Sequence, residues 1–347
     1  MSKGVLEIND CGLRVFDGNN EILESPGVAI INNREIVTGT GALMRARSHP
    51  TQVNQQFWRR LSLESVKSDN PGCRHHADLA FCHLKHIAEL CDLPDEVALA
   101  VPGNFTREQL ALLLGVIKES PFNAVALVDS AAACISSCAP RGAHLHIDLH
   151  RHQTLVSRVV VHEQAELDIA ETVTDAGLQH FQEAWARIFT DAFIMQCRFD
   201  PLHSAEAEQQ LYDMLPQWIA KAMRQGEVMA ELDDRTAKVS LRQLQDASTP
   251  ILSRVRAMID NLGEANSVVF VSHRWAEIPG GAQLAERIHL LPHNAVAQSA
   301  EKRWQEIHSD SGNLRLITGL SAAPTTEVAV QVNAAAEAGA PHLLYGH

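Results

Sequence analysis

Val5-Leu6-Glu7-Ile8-Asn9-Asp10-Cys11-Gly12-Leu13-Arg14-Val15-Phe16 is the stretch that decides the fold. Residues 5–10 read as a strand ending in an acid, Cys11-Gly12 as a tight turn, and 13–16 as the returning strand. The unit occurs twice. Residues 144–148 repeat the approach and 154–161 the return, but the second turn carries His150-Arg151-His152 where glycine is expected. A strand-acid-turn-strand unit opening each half predicts two related lobes with a cleft between them. The altered turn bears on what that cleft can hold.

Working outward, 27–31 and 35–39 are short β-rich runs, with Asp17-Gly18-Asn19-Asn20 and Asn32-Asn33 as turns. A polar, irregular stretch follows over 45–71. Residues 77–91 predict a helix with Ala80, Leu84, Ile87 and Cys91 on one stripe. Residues 97–101 are a buried strand. Thr106 then caps a helix, with Gln109 as its capping-box partner. Residues 124–128 form another buried strand, ending at Asp129. Strand-helix-strand of this kind predicts a right-handed crossover onto a parallel sheet. The second half has two long helices. Phe181, Trp185, Ile188, Ala192 and Met195 form one apolar stripe, and Leu211, Leu215, Ile219 and Ala222 the other. Asp233-Asp234 marks a hairpin between 228–232 and 236–239. Ser240 and Gln243 offer a second capping box. A helix from Pro250 stops at Gly263, 267–271 is a buried strand, and 294–307 reads as a final helix. Residues 314–318 and 327–332 read as strands, followed by an Ala-rich segment and 342–345. The expected division is lobe I at 1–142, lobe II at 143–310 and an extension at 311–347 packed back on a lobe.

Length and composition agree with an α/β protein of this size. The chain has 347 residues, enough for two cores, and is 46% hydrophobic, which excludes a disordered chain. Mean hydropathy of -0.10 and the lack of a long apolar run argue against membrane insertion. The opening MSKGVLEIND has no apolar signal core, and seven scattered cysteines fit reduced thiols, so a cytoplasmic location is expected. A formal charge of -13 without a basic cluster argues against nucleic acid as a partner.

Five segments, in order, resemble the actin-like ATPase superfold, and most closely the nucleotide-binding domain of the heat-shock-70 chaperone family. Asp10-Cys11-Gly12 is similar to the first phosphate turn. Residues 39–61, ending Arg59-Arg60-Leu61, resemble the segment that ends in a Lys-Arg-Leu-like run. Val101-Pro102-Gly103-Asn104-Phe105 resembles Val-Pro-Ala-x-Phe. Val128-Asp129-Ser130-Ala131-Ala132 resembles the connecting turn, and 268–280, ending Ile278-Pro279-Gly280, the adenosine segment. The resemblance spans 5–308. It implies a two-lobe fold of duplicated ribonuclease-H-like βββαβα domains around a central cleft. The family's peptide-binding domain has no counterpart, so chaperone activity is not implied.

In such a cleft, glycine turns bring backbone N–H groups to the phosphates, while carboxylates at strand ends hold hydrated magnesium. By resemblance, Asp10 and Asp148 are the metal-side acids and Asp129 the acid of the connecting turn. Arg59 stands nearest the catalytic lysine. Gly12 survives in the first turn, but Leu13 and Arg14 replace small hydroxyl residues. His150, Arg151 and His152 replace the second turn's glycines, and Leu155 the far acid. Ser272 and His273 replace the adenosine glycines, with Gly280 beyond them. Arg14, if it points into the cleft, pairs with Asp148 and fills the magnesium site with a fixed cation.

Side chains at glycine positions occupy phosphate space, and hydrolysis depends on positioning. The leading expectation is therefore a degenerate member, a scaffold or regulatory partner acting through contacts with another protein, with no cofactor. A second reading keeps an active ATPase: Asp10, Asp129 and Asp148 organise magnesium, Arg59 faces the phosphates, and the imidazole and guanidinium groups touch phosphate. A third is a metal site on the 144–152 hairpin, where His144, His146, Asp148, His150 and His152 alternate, built from His146, Asp148 and His150 with Asp10 opposite. Cys73, His75, His76, Cys82, His83, His86 and Cys91 form a second soft-ligand group, which reads as ordinary packing because no Cys-x-x-Cys spacing accompanies it. The extension either adds strands to a sheet edge or exchanges with a second copy in an oligomer.

Overall fold

A computed structural model describes residues 1–68, 70–309, 314–323 and 331–332. Strand β1, Lys3–Glu7, is covered on both faces, as a central strand must be. It pairs antiparallel with β2, Leu13–Asp17, with Val5 opposite Phe16 and Glu7 opposite Arg14. Strand β3, Asn20–Ser25, pairs antiparallel with β2. On the other flank β4, Glu96–Val101, and β5, Ala124–Asp129, add in parallel. The sheet therefore runs β3-β2-β1-β4-β5, with Leu316–Ile317 outside β5.

The second sheet repeats this order. Its strands are β6, Gly142–Leu149; β7, Gln153–Val161; β8, Gln164–Thr174; β9, Val269–Val271; and β10, Arg287–Leu290. They run β8-β7-β6-β9-β10, with Gly319–Ser321 outside β8 and Gln331–Val332 outside β10. Both sheets thus open with an antiparallel meander and continue in parallel. The protein is of the mixed α/β class.

Helices cover the sheets: α1, His76–Leu90; α2, Arg107–Glu119; α3, Ser130–Ser136; α4, Leu178–Cys197; α5, Ala205–Gln225; and α6, Leu241–Leu262. Thr106 caps α2, accepting from the Gln109 N–H at 3.2 Å while the Gln109 side chain accepts from the Thr106 N–H at 3.0 Å. A small sheet of Ala29–Ile31, Ile36–Thr38 and Val53–Asn54 flanks the first half. Each half has its own core, and a third cluster joins them. It packs Val5, Phe16 and Ala98 from the first sheet with Val159, Ala165 and Phe270 from the second. Each fully buried Val or Phe of this cluster contributes about 1.5–3 kcal/mol.

Several elements differ from expectation. Helix α6 starts at Leu241, so the capping box at Ser240 opens that helix and Pro250 lies inside it. The 294–307 helix breaks into Ala295–Lys302 and Trp304–Ile307. Met195 is 83% exposed and leaves the predicted stripe of α4. Of the predicted strand at 327–332, the structure describes only Gln331–Val332. The Ala-rich segment and 342–345 lie outside the described residues. Among the described residues no helix is long and apolar enough to cross a membrane.

Candidate functional site

The two hairpin turns meet face to face where the sheets adjoin. The first turn, Asn9 to Gly12, follows β1. The second is closed by the His150 N–H donating to the Gln153 carbonyl at 2.9 Å. No residue of either turn has a left-handed φ, so bulky side chains at 150–152 cost no backbone strain. The Arg151 N–H donates to Asp10 Oδ1 at 2.6 Å. The Asn9 amide donates to Asp148 Oδ2 at 3.0 Å and to the Leu149 carbonyl at 3.1 Å.

His150 lies between the two acids. Its Nδ1 is 3.3 Å from Asp10 Oδ1 and its Nε2 is 3.3 Å from Asp148 Oδ2, with all three side chains buried. The contacts are ion pairs rather than aligned hydrogen bonds. Burial opposes the imidazolium, but the carboxylates of Asp10 and Asp148 outweigh it and push His150 up to about 10. Burial likewise opposes ionised Asp148, and the His150 cation overcomes it and holds that carboxyl far below the usual range. Asp10 is lowered against burial by the same cation and by the Arg151 amide. One protonated imidazole therefore sits between the Asp10 and Asp148 carboxylates.

Backbone donors near the turn are engaged as well. Gly177 precedes α4, and the first N–H groups of that helix point at the second turn. Leu178 N–H donates to the His150 carbonyl and Gln179 N–H to the Arg151 carbonyl, both at 2.9 Å. A helix N-terminus otherwise attracts anions. A Cβ on Gly177 would lie 2.3 Å from Gln153 N and 2.4 Å from His152 C, so only glycine allows this approach. Gly12 is crowded from the other side: a Cβ there would meet the Glu24 side chain at 2.4 Å. Arg274 donates to the Gly12 carbonyl at 3.2 Å and to Glu24 Oε1 at 2.6 Å.

Contacts bridge the halves above the turns. Gln55 accepts from Arg151 Nε at 2.8 Å through its side chain, and its carbonyl meets His152 Nε2 at 2.9 Å. Farther out, Gln209 of α5 accepts from the Arg47 N–H at 2.8 Å and donates to the Leu43 carbonyl at 3.2 Å. The Arg47 guanidinium lies over the Tyr212 ring, 3.6 Å from its centroid.

The remaining predicted residues divide. Arg59 does line a cavity with Asp10 and His150, joined by Trp58, Asn104 and Gln153. That cavity is about 120 Å³, whereas small-molecule pockets run on the order of 300–1,000 Å³. Wider grooves are open surface concavities away from the acids. Arg14 does not pair with Asp148; its guanidinium meets Glu7 at 2.6 Å and Glu21 at 3.4 Å. Asp129 faces its own helix, accepting from the Ala132 N–H at 2.8 Å, while burial raises it to about 7. Ser272 and His273 line a narrow space with His146 and Asp148. Trp275, beside them, packs edge-on to Phe181 in the core. Gly280 takes a left-handed φ of 86° against Leu252.

His144 is held by the Pro140 carbonyl and the Val268 N–H. His83, from the second soft-ligand group, is sandwiched between Trp58 Nε1 at 2.9 Å and Ser25 Oγ at 2.8 Å, and burial lowers it to about 3. Among the described residues no group of three His, Cys, Asp or Glu is arranged to hold a metal ion. Asn9, Gln55, Gly177 and Arg274 escaped the sequence reading. Only Gly177 carried a signal, a glycine directly before an apolar-periodic helix. The chain matches no protein-family model and no curated protein sequence.

Proposed function

We propose that the chain is a degenerate heat-shock-70-like member of the actin-like superfold. Its nucleotide cleft is closed from within, and it acts without hydrolysing ATP, as a scaffold or regulatory partner through protein contacts. The strand order shared by the two sheets supports the fold reading. The observation that carries the functional reading is the His150 imidazolium between Asp10 and Asp148. A divalent ion needs those same carboxylates free, and the first amides of α4, which as a helix N-terminus would suit an anion, are given to the turn by Leu178 and Gln179. A closed, ion-paired cleft also presents a fixed outer surface, which suits a scaffold.

Titration calorimetry with Mg-ATP tests the proposal. No heat of binding is expected at micromolar nucleotide. Micromolar binding together with turnover that disappears in Asp148→Ala would establish the active ATPase instead.

A further inference from the structure

Residues 314–323 pass from one sheet to the other. Leu316–Ile317 adds in parallel to the outer side of β5, Leu316 opposite Leu127 and Ile317 opposite Val128. The next carbonyl, that of Thr318, already accepts from the Leu167 N–H of β8 at 2.8 Å. Gly319–Ser321 then pairs antiparallel with β8, with Leu320 opposite Ala165. The Ala322 N–H donates to the Glu163 carbonyl at 2.9 Å and the Ala323 N–H to the Ser136 carbonyl at 2.8 Å. Arg303 holds the same run from below, donating to the carbonyls of Ser321 at 2.6 Å and Ser136 at 2.8 Å. Glu306 accepts the Ser321 N–H at 2.8 Å. Leu320 is 1% exposed, in the cluster that joins Val5 and Phe16 to Val159 and Val161.

From this placement we infer that residues 316–323 are a strap that ties the two sheets together and keeps the cleft shut without any ligand. The inference rests on the closed-cleft reading above and supplies its mechanical cause. Sheets bound to one short, continuous segment cannot part without breaking a hydrogen-bonded ladder on one side. A buried leucine must also leave the shared core. The strap covers outer sides of β5 and β8 that would otherwise present unpaired backbone groups.

Hydrogen exchange on the full chain tests this. The amides of Arg151 and Arg47, which donate across the halves to Asp10 and Gln209, report cleft closure, and those of β1 and β6 report the whole fold. Two variants loosen the strap by different routes: Ala322→Pro deletes the amide donated to Glu163, and Leu320→Ala removes the buried side chain. The reporter amides should exchange slowly in the wild type. In both variants they should exchange about tenfold faster or more, while β1 and β6 keep their protection. Unchanged reporters beside a freely exchanging strap would overturn the strap and leave the closed cleft standing. Equal loss of protection in β1 and β6 would also overturn it, because the segment would then serve general stability alone. Fast exchange of the reporters in the wild type would instead remove the closed-cleft reading itself.

Discussion

His150 places a proton-dependent charge between Asp10 and Asp148, and its titration is measurable. Its pKa is raised in the fold, so its stabilising contribution is complete below about pH 6.5, the ordinary histidine value, and falls away as pH rises through about 10. Asp10 and Asp148 are lowered, so their contribution is present above the ordinary carboxylate range and lost only in acid. Asp129, raised to about 7, is still losing its contribution as pH rises through that value. Buried histidines whose pKa is lowered and buried cysteines whose pKa is raised add slopes of their own between about pH 7 and 9, so the His150 share is the difference between wild type and His150→Gln. That difference should shrink as pH rises, with a limit of about 1.4 kcal/mol per pH unit, the value for one proton. Urea denaturation of both proteins across that range should show the gap narrowing. A gap that stays constant over the same window would contradict the bridge. At fixed neutral pH, His150→Ala leaves two buried carboxylates facing each other and should cost about 3–5 kcal/mol.

At the scale of elements, the turn 150–153 and the start of α4 act as one unit. Gly177→Ala would push a methyl into the backbone of His152 and Gln153. A loss of about 1–3 kcal/mol in urea denaturation is expected, with faster exchange at Leu178 and Gln179. Wild-type stability in that variant would show that the turn is not locked to the helix. The hairpins, α1, α2, α4, α5 and the parallel strands were legible because apolar periodicity and caps marked them. Strand β8 was not: Glu166, Asp168 and Glu171 break its apolar run, and its tertiary pairing on β7 overrides weak propensity. The same holds for β3, whose outward side chains are exposed. Pro250 suggested a helix start, yet α6 continues through it.

For the whole molecule, the sequence exposed which bulky groups occupy the second turn but not where they point. Arg14 looked equally suited to neutralising Asp148, yet Glu7 lies opposite it in the β1–β2 register and captures it. The bridging role falls to His150, two residues beyond Asp148 on the same extended run. Gln55 and Arg274 reach the cleft from distant segments, and no local pattern announces them. Together these contacts describe a cleft filled by its own side chains. The most direct test is a crystal structure grown with magnesium and a slowly hydrolysed ATP analogue. The account predicts the His150 ring unmoved between Asp10 and Asp148; a metal-bound nucleotide on those carboxylates, with His150 swung away, would contradict it.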